Sequence, residues 1–295
     1  MTKGLRVLIG YDGSSYADAA IEDLRRAALP EKAEALVVSV GEDPIVPPFV
    51  SDASVDKAFI SERTIAIANH AEAHISESLA EAKAEAEAAA RLLGHYFPNW
   101  RVHTMALAGR PATELVQKAR EWAAHLLVVG SQGRSAVGRL FFGSVSLEVA
   151  IEATCSVRIG RALEQEARDT RRIILGLDGF AGSERAIKQV LKRGWPRGTE
   201  LRIIGIDNGT SLLKTAALMS ASNEPIELAD APGLKVFAEI KKGDPASILI
   251  DEARDWKAHC IFVDAAGFSS TTNGSGNTVS TRLATNADCS VEIVR

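Results

Sequence analysis

The chain has 295 residues, enough for two ordinary domains, and its 46% hydrophobic and 24% charged content can build a sizeable core. A net charge of −4 with a pI near 5.9 argues against non-specific binding to nucleic acid or to an anionic membrane surface. No apolar run approaches membrane-spanning length, and the first eight residues enter a strand pattern without the regions of a signal peptide, so a cytoplasmic protein is expected. Cys155, Cys260 and Cys289 each lie in or beside an apolar run. An odd number of thiols without zinc-like spacing reads as buried cysteines, not as a disulfide framework or a metal site.

In chain order, Leu5–Tyr11 reads as a strand and Ser14–Ala28 as a helix capped by Ser14 or Ser15. Leu36–Val40 is a short strand, and Gly41–Ser54, rich in proline and acid, a loop. A long helix runs from about Glu62 to Leu93. Its stripe Ile75, Leu79, Ala82, Ala86, Ala89 and Leu93 recurs at helical steps, and the acids within Glu72–Glu87 read as its solvated face. Arg101–Leu107 is a strand, Pro111–Ala123 a helix and Ala124–Val129 a buried strand. Val145–Ala153 is a closing helix and Ser156–Gly160 the last strand of the unit.

The pattern then repeats. Arg6-Val-Leu-Ile-Gly-Tyr-Asp12-Gly13 returns as Arg172-Ile-Ile-Leu-Gly-Leu-Asp178-Gly179, an offset of 166. Gly109-Arg-Pro-Ala112 returns as Gly243-Asp-Pro-Ala246, and Cys155-Ser-Val157 as Cys289-Ser-Val291, both at an offset of 134. The first copy therefore carries 32 additional residues in its middle. The expected division is residues 1–163, a charged linker at 164–170, and a second copy over 171–295, in which 207–232 is a loop or a short helix. Strands alternating with helices imply a doubly wound parallel sheet, with ligands beyond the carboxyl ends of its strands.

Asp12, Val40 and Gly130 all stand at such ends, and the last opens the stretch Gly130–Ser144, GSQGRSAVGRLFFGS. A strand, a glycine-bearing loop and a helix start make an anion site, because unpaired amides and the positive end of the helix dipole face the same place. Ser144 reads as the N-cap of the helix. The spacing is neither that of a Walker A loop nor the Rossmann glycine fingerprint. His125 and His259, at matching places before a strand and without a nucleophile pattern nearby, read as structural.

Gly-x2-Gly-x9-Gly-Ser, with an aspartate after the first strand and the Gly-x-Pro-Ala segment, resembles the universal stress protein family, in tandem form. The resemblance implies an α/β fold of the adenine nucleotide alpha hydrolase-like kind. The chain would hold two tandem doubly wound, mostly parallel five-stranded sheets flanked by helices. It further implies ATP, ADP or AMP as ligand, with Mg2+ or Mn2+. Asp12 would face adenine or ribose and the Val40 backbone the adenine edge. Gly130, Gly133, Gly143 and Ser144 would cradle the phosphates, beside Val145 and Ser146. Arg134, inside the loop, could meet a phosphate oxygen, and Arg110 and Arg139 have weaker claims. Intramolecular pairing of the two repeats through their last strands, and a homodimer, are the implied partners; nucleic acid and membrane are not.

In the second copy Asp264 stands for Gly130, Asn277 for Gly143 and Thr278 for Ser144, while Gly267 keeps the place of Gly133. A carboxylate at that place would repel phosphate, so one competent site per chain is expected. Ser156 and Ser290 replace the proline common at that position in the family. Three functions compete: a stress-response regulator that binds nucleotide, a slow ATPase or phosphotransferase on the same site, and a pairing scaffold without ligand. Phosphoryl transfer needs a positioned base, and the sequence marks none, so weak hydrolysis is the upper bound.

Overall fold

The computed structural model describes residues 4–41, 62–132, 143–162, 171–177, 183–207, 226–227, 233–265 and 278–295. The first repeat runs β1 (Leu5–Gly10), α1 (Ser15–Asp23), β2 (Ala33–Gly41), α2 (Glu62–Tyr96), β3 (Arg101–Ala108), α3 (Pro111–Glu121), β4 (Leu126–Gly130), α4 (Ser144–Glu152) and β5 (Ser156–Gly160). The second runs β6 (Arg172–Leu177), α5 (Ser183–Leu191), β7 (Thr199–Asp207), β8 (Ile226–Glu227), β9 (Leu234–Lys242), α6 (Pro245–Trp256), β10 (Cys260–Asp264), α7 (Val279–Asn286) and β11 (Ser290–Val294). Within 207–232, Ile226–Glu227 form the two-residue strand β8, and the rest of the expected loop or short helix beyond β7 lies outside the described residues. Linker residues 164–170 lie outside the described residues.

The strands form one sheet of eleven in the order β3-β2-β1-β4-β5-β11-β10-β6-β7-β9-β8. The two five-stranded sheets expected from the sequence are thus continuous. Each repeat would end on an edge strand with unpaired backbone groups, and β5 and β11 satisfy each other's edge by pairing antiparallel. Their register sets Val157 against Ile293, Arg158 against Glu292 and Ile159 against Val291. Every other pairing is parallel apart from the short β8–β9 contact.

Helices cover both faces. On one face a single apolar cluster crosses from repeat to repeat, through Val149, Val157 and Ile159 on one side and Leu283, Val291 and Ile293 on the other. The opposite face holds two clusters, one under α1 and α2 and one under α5. The predicted stripe of α2 is the buried one, with Ala82, Ala86, Ala89 and Leu93 inaccessible. Packing repeats with the sequence: a Cβ on Gly10 would strike Leu115, and one on Gly176 would strike Leu249, each at 2.7 Å. Gly109 and Gly243 lead into α3 and α6 with φ of 144° and 138°, a backbone that side chains disfavour.

The two histidines close strand ladders. His125 Nδ1 accepts from the Arg6 amide at 3.0 Å, and His259 Nδ1 accepts from the Arg172 amide at 3.0 Å. An accepting Nδ1 carries no proton. Burial, and after it the charge of Arg26, holds the His259 pKa below its ordinary value. The unfolded chain therefore takes up this proton first as pH falls. The stabilisation is complete above about pH 6.5 and is lost as pH drops from there through the folded value. Urea unfolding should show a midpoint falling between about pH 7 and pH 5. The loss should be smaller in His259→Asn, whose amide oxygen accepts the same bond without titrating.

Candidate functional site

From β1 the chain winds outward through β2 to β3, then returns to β4 on the other side of β1. The direction of winding switches between β1 and β4, so the connections leaving their carboxyl ends separate and open a crevice. Asp12, Gly130 and the start of α4 border it.

On the β1 side, Asp12 Oδ1 accepts from the Ser14 amide at 3.1 Å and from its hydroxyl at 2.6 Å. Ser14 in turn caps α1 through the Ala17 amide, at 3.2 Å. Asp12 thus shapes the turn while standing half-buried at the crevice. Tyr11 donates to Asp18 at 2.6 Å, and burial, then this bond and the charges of Asp18, Glu85 and Asp12, push its phenol well above the usual range.

Glu85 of α2 is a residue that the sequence reading missed. It does not belong to the solvated face: it accepts from Ser39 at 2.7 Å, and a Cβ on Gly13 would lie 3.1 Å from its Oε1. The signal was present, since Glu85 follows Ala82 by three and precedes Ala89 by four, within the buried stripe. Val40 is half-buried and packs on the core beside Leu107, its partner in register.

On the β4 side, Gly130 closes the strand, where a Cβ would come within 2.8 Å of the Tyr16 backbone. Its lack of a side chain serves the contact between β4 and α1. Gly143 donates to Ser131 O at 3.1 Å, which ties together the two ends of the glycine loop. Gly143, not Ser144, is the N-cap of α4, with φ −65° and ψ 132°, and as a glycine it brings no side chain to cap the helix. Ser144 is its exposed first residue. Val145 packs partly on the core, and the buried Ser146 hydroxyl donates to Gly130 O at 2.5 Å, joining helix to strand. Gly133, Arg134 and Arg139 lie outside the described residues, as do Asp178, Gly267 and Asn277 of the second repeat. Arg110 points to Glu148 at 3.4 Å, and the second repeat carries the same pair reversed, Asp244 with Arg282 at 2.6 Å. That exchange marks Arg110 as a helix-to-helix fastening. No group of three His, Cys, Asp or Glu side chains suited to a metal ion occurs among the described residues, and no described helix is long and apolar enough to cross a membrane.

A family model described as "Universal stress protein family" matches residues 5–161, more than half of the chain. The chain belongs to the universal stress protein family. A universal stress protein of Mycolicibacterium smegmatis is 26% identical over 98% of this chain and 96% of its own length. One from Thermus aquaticus is 34% identical over 52% of this chain and 97% of its own. The solved structure of an Archaeoglobus fulgidus universal stress protein is 18% identical, with a TM-score of 0.67 over 98% of both chains, which shows a shared fold.

Within this universal stress protein the second repeat differs at the places that correspond to Gly130 and Ser144. Asp264 is 3% exposed and takes two bonds from Arg185, at 3.0 and 3.1 Å. The anticipated repulsion is therefore not that of a bare charge: an internal ion pair fills the place. Thr278, the counterpart of Ser144, caps α7 by accepting from the Thr281 amide at 3.2 Å.

Gly130→Ala should destabilise the chain by about 1–3 kcal/mol, because a methyl group meets backbone that cannot swing aside. Urea unfolding without any ligand reads this directly. For the same reason Gly130→Asp cannot test phosphate placement, since it would disturb the packing of α1 first.

Proposed function

We propose that the first repeat binds ATP or another adenine nucleotide, and that the chain is a regulatory nucleotide-binding protein of the stress response. The observation that carries this reading is the start of α4. Its first-turn amides have no side-chain cap among the described residues, whereas Thr278 caps the equivalent helix of the second repeat. An uncapped helix start beside a glycine loop suits a phosphate chain.

The crevice is also polarised. Asp12 and Glu85 stand on the β1–β2 side, where acceptors suit ribose hydroxyls and the adenine amino group, and where phosphate would be disfavoured. The α4 side offers donors. A nucleotide would lie with its base and sugar toward Asp12 and Val40, and its phosphates toward Gly143, Ser144, Val145 and the loop of Gly133 and Arg134. A carboxylate has about four acceptor sites, so serving the Ser14 turn and receiving a hydroxyl are compatible. Mg2+ or Mn2+ would arrive with the phosphates. The second repeat, with Asp264 held by Arg185, serves as a paired partner without a phosphate site of its own. Catalysis gains no support from His125, which is engaged at the amino end of β4, away from the crevice.

Calorimetry of the full chain with MgATP should give one site per chain. Ser144→Pro provides a sharp test, because proline is tolerated at the first helical position while it removes an amide donor. Gly143 already has the extended backbone that must precede a proline. The variant should keep its unfolding midpoint and lose ATP affinity beyond the loss in Ser144→Ala, which removes only the hydroxyl. Asp12→Ala should weaken binding about ten- to a hundredfold, the value of a charged hydrogen bond. Absence of heat with ATP, ADP and AMP would overturn the proposal, and steady phosphate release over many turnovers would replace it with the ATPase.

A further inference from the structure

The junction of β5 with β11 follows a local two-fold, since Arg158 and Glu292 occupy equivalent places in the two repeats, 134 residues apart, and face each other in register. Most polar contacts around them obey that symmetry. The Arg161 amide donates to the Ser290 hydroxyl at 3.0 Å, and the Arg295 amide to the Ser156 hydroxyl at 3.2 Å. Arg161 reaches Ala284 O, and Arg295 reaches Ala150 O. These bonds, two of them accepted by the serines and two by the alanine carbonyls, would form equally well if a repeat met a copy of itself.

The centre does not obey it. Arg158 is 1% exposed and donates to Asp23 at 2.7 Å and to Glu292 at 3.0 Å. Glu292, fully buried, also receives Arg193, whose other nitrogen donates to Ala27 O at 2.8 Å across the junction. The result is a buried row of alternating charge, Asp23, Arg158, Glu292, Arg193, the first two from one repeat and the last two from the other. The equivalents of Asp23 and Ala27 in the second repeat are Gln189 and Arg193, so both members of the row's flanks have diverged.

We propose that this row selects the pairing partner. It directs the first repeat to the second, and it rejects both a second copy of the first and a second copy of the second through the same strand. A like-with-like junction would set Arg158 directly against Arg158 or Glu292 directly against Glu292, like charge facing like charge in the buried centre, with Asp23 or Arg193 left only at the flanks. In a low-dielectric interior that contact is costly. The row is not built for maximal stability, because Asp23 Oδ1 is buried without a partner among the described residues. Apolar side chains would pack such a junction at least as well, but without preference. This inference rests on the strand junction and not on the nucleotide reading, so the two can fail separately.

The test uses full chains. Arg158→Glu places three acids side by side, and Glu292→Arg three cations. Each variant alone should unfold at a lower temperature than the parent. When the two are unfolded, mixed in equal amounts and refolded, an intact Arg158 from one chain can meet an intact Glu292 from the other. Light scattering should then find a one-to-one complex of twice the 31.5 kDa chain mass, a species that neither variant forms alone. Should either variant fail to fold alone, the milder Arg158→Met and Glu292→Gln decide, and the double variant should be no less stable than the worse single one. Parental unfolding temperatures in the charge-reversed chains, no new species on mixing, or additive losses in the mild pair would each overturn the proposal.

Discussion

A parallel sheet must end somewhere, and in each repeat of this chain it ends on a strand whose outer backbone groups need partners. The antiparallel contact of β5 with β11 meets that need for both repeats at once. It also joins the apolar cluster of one face across the chain, from Val157 and Ile159 to Val291 and Ile293. Because the contact runs about a local two-fold, the residue on the axis faces its own duplicate, Arg158 against Glu292, and its neighbours Val157 and Ile159 each face the duplicate of the other. Such positions evolve under a joint constraint: a charge there must be answered by a change in the other repeat. The apolar and serine positions keep the symmetry, and the charged centre breaks it.

Divergence elsewhere follows what each position does. Several positions that hold the fold are equivalent in both repeats. Gly10 and Gly176 admit the same leucines, Arg6 and Arg172 donate to the carbonyls of Trp122 and Trp256, and His125 and His259 close the same ladders. The fastening between helices keeps its sum of charge but exchanges its sense, from Arg110 with Glu148 to Asp244 with Arg282. At the carboxyl ends of β4 and β10 the repeats part company. The second repeat supplies its own carboxylate, paired with Arg185, and its own threonine helix cap, although the Ser280 hydroxyl, counterpart of Ser146, is buried without a partner among the described residues; the start of α4 has a glycine cap that brings no side chain.

The elements themselves were readable because their signals are local: the apolar stripe of α2, the strand repeats at fixed offsets, and the glycines before α3 and α6. Helix ends were less so. Ser144 carries the chemistry of a cap, yet Gly143 takes that place, because its amide is held by Ser131 O across the loop. Gly130 reads as a phosphate-loop glycine, and only the fold shows that the backbone of α1 at Tyr16 also requires it. Glu85 was hidden among the acids of a long helix, and only the position of β2 reveals which of them turns inward to Ser39.

By itself, then, the sequence determined that there are two copies of one α/β unit, the order and type of their elements, and which repeat departs from the glycine pattern. Those features rest on periodicity and on contacts between near neighbours. Tertiary structure alone decided that Arg158, Glu292, Asp23 and Arg193 form a single buried row, and that Asp264 is paired with Arg185. Each of these joins residues far apart in the chain. Their pairing depends on which strand edges meet and which faces close, and no local pattern encodes that.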